Sequence, residues 1–394
     1  MTDKPTSEEE NHKSSKRKKI MIWTALAFIF IGIVIFLYWL LVLRFEEYTD
    51  DAYVHGNMVE LTPQVTGIVA SINVDNTDYV EEGQVLIQLD KTDYILSLEK
   101  SENQLGETVR NVVQMFLKVE ELEAQLEVKE AELVRAEQDF ENRVNLVKIG
   151  AVSKEEFEHV EATLKSARSS AKETYHALQA AYAQVQGTSI RTHPLVKEAS
   201  QEVKDAWISL KRCDILSPVN GYVTQRSTQL GEWVNLAEPL LAIVPLDELW
   251  VDANFKEIQL SDFRVGQKAL VRSDIYGRKV TYKGTVVGIN PGTGNVFSIL
   301  PPQNATGNWI KIVQRVPVRI SLDSKQLEKH PLWLGLSMEV TVDIHDTSGE
   351  MLTESRQIKP IYQTKIYSEQ EEGADEMIQE IIEHNIGSHG ARGT

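Results

Sequence analysis

The chain has one cysteine, Cys213, in 394 residues, which excludes an internal disulfide. A lone cysteine is most often a small apolar residue with no chemical duty. The nine histidines are scattered, and no HExxH helix, nucleophile elbow or phosphate-cradling glycine loop occurs, so catalysis has no support. His159 and His176 stand seventeen positions apart, close to five helical turns, which allows one face but not one ion. The seven methionines are spread singly, so no soft-metal site forms. Basic residues are also in deficit, 41 against 58 acidic ones, for a net charge of −17. A polyanionic nucleic acid would be repelled by such a chain. The reading is a protein that is not an enzyme and holds no cofactor and no metal.

What is present begins with one long apolar run. Residues 20–43 carry no charge, and as a helix of about 36 Å they cross a bilayer with some tilt. Trp23 near one end and Tyr38 and Trp39 near the other suit the two headgroup boundaries. A cleaved signal peptide would have a shorter core and end in small residues, whereas this run ends Leu-Val-Leu-Arg-Phe-Glu-Glu. The preceding residues 1–19 include Lys16-Arg17-Lys18-Lys19 and carry net +2, against −19 for everything after them. The positive-inside rule therefore keeps the N-terminus cytoplasmic and the bulk of the chain outside.

Residues 91–186 read as two long helices folded back on each other. Large or apolar residues recur every seven positions at Leu98, Leu105, Val112, Val119, Leu126, Leu133, Phe140 and Val147. A second series, Phe157, Val160, Leu164, Ala167, Ala171, Leu178, Ala181 and Val185, has the 3-and-4 spacing of a coiled-coil seam. Between them Gly150 predicts a left-handed helix stop, and Ser153 with Glu156 predicts a capping box. Two arms of roughly 50 residues predict a rod about 75 Å long. His193-Pro194 interrupts the end of the second arm, and Val203, Trp207 and Leu210 mark a further helical stretch at its base.

The segments flanking the rod are β-type and repeat each other. Val65, Gly67, Val69, Val80, Leu86 and Leu89 align without a gap onto Val219, Gly221, Val223, Val234, Leu240 and Ile243, 154 residues on. Two half-modules pair only if the hairpin between them returns its ends together. The pattern "PQVTGIVASINVDNTDYVEEGQVLIQLD" followed by "SPVNGYVTQRSTQLGEWVNLAEPLLAIV" resembles the halves of a lipoyl or biotinyl carrier domain. Such domains carry their cofactor on a lysine in a hairpin joining the halves. Here the chain leaves into the rod at Lys91, so the expectation is the scaffold without the cofactor.

From Leu246 to Ile344 the alternation in Leu249-Trp250-Val251-Asp252-Ala253-Asn254-Phe255 and in Met338, Val340, Val342 and Ile344 predicts strands of a small closed barrel. The stretch from Gly292 to Asn308 is too polar for core. Beyond Asp346 the chain turns acidic; Met377, Ile378, Ile381 and Ile382 allow one short amphipathic helix, and disorder is expected otherwise.

Taken with "YTDDAYVHGNMVELTPQVTGIVASINVDN" and "ILSPVNGYVTQR", these features resemble the HlyD class of membrane fusion, or periplasmic adaptor, proteins. "LWVDANFKEIQL" and "NPGTGNVFSILPPQNATGNWIKIVQRVPVRI" narrow the resemblance to the EmrA-type multidrug efflux branch, over about residues 16 to 345. It implies an inner-membrane-anchored adaptor that joins a major-facilitator drug:proton antiporter to a TolC-like outer-membrane channel, arranged as a homo-oligomeric ring, trimeric or hexameric. The family's hairpin tip docks onto the channel through an arginine, a leucine a turn later and a serine beyond the turn. The matching positions here are Arg143, Leu146 or Val147, and Ser153, with Gly150 at the turn. The segment holding Phe297, Pro301, Pro302, Asn304 and Trp309 becomes a candidate contact with the transporter or a neighbouring adaptor. The alternatives are an adaptor of an ABC-type exporter of proteins or peptides, and a membrane-tethered lipoyl or biotinyl carrier subunit.

The expected fold is therefore mixed α and β and elongated. Its parts are a cytoplasmic basic tail (1–19), a transmembrane anchor (20–43), a linker and lead-in strand (44–58), and a first lipoyl-like half (59–90). A coiled-coil hairpin (91–212, tip about 143–156), a second half (213–245), a β-barrel (246–346) and an acidic, disordered tail (347–394) follow.

Overall fold

The computed structural model describes residues 7–41, 43–294, 296, 313–352 and 360–387. Helix α1 (Ser7–Leu41) contains the apolar stretch Ile20–Leu41, none of it buried, which at 1.5 Å per residue is about 33 Å long. The chain then runs through strands β1 (Glu46–His55), β2 (Val59–Leu61), β3 (Gly67–Ile72), β4 (Tyr79–Val80) and β5 (Val85–Leu89). It goes out along α2 (Thr92–Lys148) and returns along α3 (Lys154–Val185) and α4 (Pro194–Lys211). Strands β6 (Asp214–Leu216), β7 (Gly221–Thr224), β8 (Trp233–Val234) and β9 (Leu241–Val244) come next. They lead to β10 (Trp250–Lys256), β11 (Lys268–Ser273), β12 (Tyr282–Ile289), β13 (Arg315–Leu322), α5 (Ser324–Lys329) and β14 (Ser337–Asp343). Helices α6 (Ile366–Glu369) and α7 (Ala374–Ile386) complete the described chain.

The 154-residue repeat folds as the sequence implies. Strands β2, β9, β7 and β4 form one four-stranded sheet and β6, β5, β3 and β8 the other, so each sheet mixes both halves. The pairs Gly67–Val234 and Ile68–Trp233 on one sheet become Gly221–Val80 and Tyr222–Tyr79 on the other. Leu86, Ile87, Leu89, Leu240, Leu241 and Ile243 are buried between the sheets. Gly221 permits a close approach, since a Cβ there would sit 2.7 Å from the Val244 carbonyl oxygen. Lys91, the residue at which the rod departs, is paired with Asp214 at 2.7 Å.

The barrel closes with six strands in the order β1-β10-β13-β12-β11-β14. The strand expected within the linker at 44–58 is present as β1, but it belongs to the barrel, which corrects the barrel bounds of 246–346. Strand β1 pairs antiparallel with β10 on one side and β14 on the other, and Ala52 and Val54 point inward, 0% and 1% exposed. Without it β10 and β14 would present unpaired edges, which closure removes.

The rod also departs from two equal arms. Helix α2 is continuous over 57 residues, about 85 Å, while the returning arm is broken between α3 and α4. Gly187 turns the chain at φ +74, Pro194 opens α4, and the His193 ring accepts from the Leu195 amide as its N-cap. Below the break α2 and α4 are joined by α7, with Leu105, Val109, Val112, Val196, Val203, Ile378 and Ile382 in one core. The short helix that the spacing of 377–382 allows is thus present. The expectation of disorder for the tail does not hold for 360–387, because the Ile378, Ile382 and Ile386 face has a partner. Trp207, expected at the rod base, is half-buried there and donates from Nε1 to the Gln370 carbonyl at 3.2 Å.

Cys213 is fully buried beneath this junction, and burial pushes its thiol up to about 11. The thiolate is the reactive form. A thiol reagent at neutral pH should therefore leave the folded protein unmodified and label one equivalent after denaturation, read by intact mass.

Candidate docking tip of the hairpin

The far end of the rod is built by helix termination. Gly150 takes φ +77, a conformation that costs other residues about 1–2 kcal/mol. Its amide bonds to the Val147 carbonyl at 3.0 Å, and the Ala151 amide to the Leu146 carbonyl at 3.0 Å, the bond pair of a Schellman stop. Ser153 then caps α3, its hydroxyl accepting from the Glu156 amide at 3.1 Å. The Glu156 carboxylate faces Arg143 Nε at 3.8 Å across the hairpin, and Asp139 lies 3.5 Å from the same guanidinium on its own helix. These pairs are exposed and individually weak. Phe140 and Phe157, with ring centroids 5.4 Å apart, supply the apolar tie that holds the arms together just below the turn.

The seam loses burial along the rod. Leu98, Leu105, Val112 and Val119 are buried, whereas Leu126, Leu133, Phe140 and Val147 are half-buried. Two helices alone cannot enclose a seam that the three-helix base does enclose.

The predicted tip residues thus separate into two roles. Arg143 and Ser153 face inward to the hairpin's own structure, Gly150 makes the turn, and Val147 stays half-buried in the seam. Leu146 is 39% exposed, and Ile149, which the sequence reading passed over, is 76% exposed at the apex. The available signal was a β-branched apolar residue in the last position before a helix-stopping glycine, belonging to neither seam series. Leu146 and Ile149 thus form an exposed apolar knob at the end of a charged rod. Among the described residues no group of three or more His, Cys, Asp or Glu is placed to hold a metal ion. The other candidate contact, Phe297, Pro301, Pro302, Asn304 and Trp309, lies outside the described residues. Its base does not: the Gly294 amide bonds to the Arg315 carbonyl at 3.2 Å, and Arg315 pairs with Asp51 at 2.7 Å.

A membrane-length helix, a six-stranded barrel, a split sandwich and an antiparallel hairpin are thus nested in that order along the chain. The model of the EMRA alpha-helical hairpin domain matches residues 92–213. The multidrug export protein EmrA of Escherichia coli K12 is 41% identical over 97% of this chain and 98% of that protein. EmrA of Haemophilus influenzae is 40% identical over 98% of each chain, and the fatty acid resistance protein FarA of Neisseria gonorrhoeae is 40% identical over 84% of each. Among solved structures, the periplasmic adaptor protein EmrA aligns at 23% identity with a TM-score of 0.38, covering 76% of this chain and 98% of that one. On its near full-length identity to these relatives, the chain belongs to the EmrA family.

Two substitutions separate the tip's structural roles. Gly150→Val should destabilise the turn by about 1–2 kcal/mol and Ser153→Ala should release the first turn of α3 by about 1 kcal/mol. Hydrogen exchange should rise in 146–157 and stay unchanged in the barrel.

Proposed function

We propose that this chain is the periplasmic adaptor of a tripartite multidrug efflux pump, joining an inner-membrane major-facilitator drug:proton antiporter to a TolC-like outer-membrane channel. One observation carries the reading: an exposed apolar knob, Leu146 and Ile149, stands at the end of an about 85 Å helix whose root is tied to a membrane-length anchor through the sandwich and barrel. The charge asymmetry of the N-terminus supports a cytoplasmic start and a periplasmic bulk. The curated relatives are named for multidrug export and fatty acid resistance, which supports export of small amphipathic compounds as the task served. The adaptor performs no chemistry in this reading; the partner transporter supplies the energy.

Ring formation is part of the proposal, and the sandwich supplies its surface. The pseudo-symmetry places one exposed pair on each sheet, Ile68 with Trp233 and Tyr79 with Tyr222, each side chain 41–58% exposed. Two different patches on opposite sheets suit a head-to-tail contact, which closes into a ring when the rotation allows. Trp233→Asp should shift the full-length protein toward monomer in native mass spectrometry, leaving the circular dichroism spectrum unchanged.

The tip is tested by capture of the channel from solubilised membranes. Leu146→Asp with Ile149→Asp should abolish capture while the protein remains folded, because a desolvated charge replaces the apolar contact. Arg143→Gln should retain the hairpin, whereas Arg143→Asp places a third acid beside Asp139 and Glu156 and should open the tip as well. Undiminished capture by the Leu146/Ile149 double variant would overturn the docking assignment.

A further inference from the structure

The described part of the tail touches the barrel, the sandwich and the base of the rod. The Glu350 carbonyl accepts from the Val265 amide at 2.9 Å on the barrel. Thr364 Oγ1 donates to Glu82 at 2.8 Å on the sandwich, where Ile361 and Tyr362 line a groove with Val219 and Pro245. Helix α7 then lies antiparallel to α4 and completes the three-helix base of the rod.

The docking of α7 is register-specific. Lys204 pairs with Glu371 at 3.3 Å and Asp375 at 3.4 Å, and Gly373, at φ +86, lets the chain pass over the Trp207 ring. Farther along, Glu383 pairs with Arg191 at 2.5 Å and Asn385 accepts from Arg110 at 2.5 Å. Arg191 belongs to the break between α3 and α4, so the end of α7 reaches the one discontinuity in the returning arm. Opposite Asn385 stands Gly106, a buried glycine inside α2 where a Cβ would meet the Asn385 side chain at 3.1 Å. Glycine in a helix interior is unfavourable; at this site it forms the notch into which α7 fits.

We propose that α7 is a splint: it bridges the break at 186–193 and, through its tether on the sandwich, holds the rod in one direction relative to the domains beneath it. Screened, exposed ion pairs set its register, while Ile378, Ile382 and Ile386 supply the adhesion. A rod held in one direction presents its tip without paying orientation entropy on contact, a consequence that rests on the adaptor reading; the splint itself does not.

Gly106→Leu tests it in the full-length protein. Leucine is the better helix former, so α2 itself is strengthened while Asn385 is driven out. Hydrogen exchange in α7 and in 187–192 should rise roughly tenfold. Spin labels at Glu127→Cys on α2 and Gln229→Cys on the sandwich, Cys213 being buried, should give a narrow distance distribution that broadens in the Gly106→Leu background. Ile378→Asp with Ile382→Asp should reproduce both effects. Faster exchange in α7 with an unchanged distance distribution would overturn the splint, as would full protection of α7 in Gly106→Leu. Neither readout involves the channel, so channel capture can fail while the splint stands, and the reverse.

Discussion

Everything in this molecule depends on a pairing across the base of the rod: β5 of the first sandwich half against β6 of the second, with Val85 opposite Leu216 and Gln88 opposite Asp214. That pairing forces the 122 residues matched by the hairpin model to return to where they left. An antiparallel rod satisfies it, because its two ends come back together. The same logic is applied again one layer out, since β1 precedes the sandwich and β10 follows it, and the two must meet to close the barrel. The chain is therefore nested: barrel, sandwich, rod, sandwich, barrel. The magnitudes say what holds the junction. The Lys91–Asp214 pair is partly exposed and contributes at most about 1 kcal/mol. Each of the leucines and isoleucines buried between the sheets contributes about 1.5–3 kcal/mol.

Where sequence reasoning succeeded, the signal was periodic. The gapless 154-residue offset maps β3 onto β7 and β4 onto β8, because small buried positions such as Gly67 and Gly221 recur with the valines around them. The heptads of α2 and α3, the Gly150 stop and the Ser153 cap were legible for the same reason, being local. What escaped was non-local. Strand β1 reads Glu-Glu-Tyr-Thr-Asp-Asp-Ala-Tyr-Val-His, and its acidic outer face concealed that Ala52 and Val54 belong to a core nearly 200 residues downstream in sequence. The apolar face of α7 was visible, but nothing in an acidic tail says that α2 and α4 are its partners. The tip divided similarly: the Gly150 stop and the Ser153 cap were read correctly from pattern, but of the expected capping box only the Ser153 half forms, the Glu156 carboxylate facing Arg143 instead, and the exposure of Ile149 depends on the angle at which the turn presents it.

A gradient runs along the rod. At the base three helices enclose Leu105, Val109, Val112 and Val203 completely; above Leu122 two helices leave most of their seam half-open. The rod is thus most fully packed at its base and most open toward its tip. Such a distribution fits a connector, whose work is done by geometry and by contacts at its two ends.

The central claim is that the tip lies against an outer-membrane channel while the anchor lies beside a transporter. Lysine-reactive crosslinking of the native protein in mildly solubilised membranes, followed by mass spectrometry, tests it most directly. Lys148 and Lys154 flank the turn. They should crosslink to a TolC-like channel, in material that also contains a major-facilitator transporter. Crosslinks from these two lysines confined to other copies of this chain, with no channel recovered, would contradict the account.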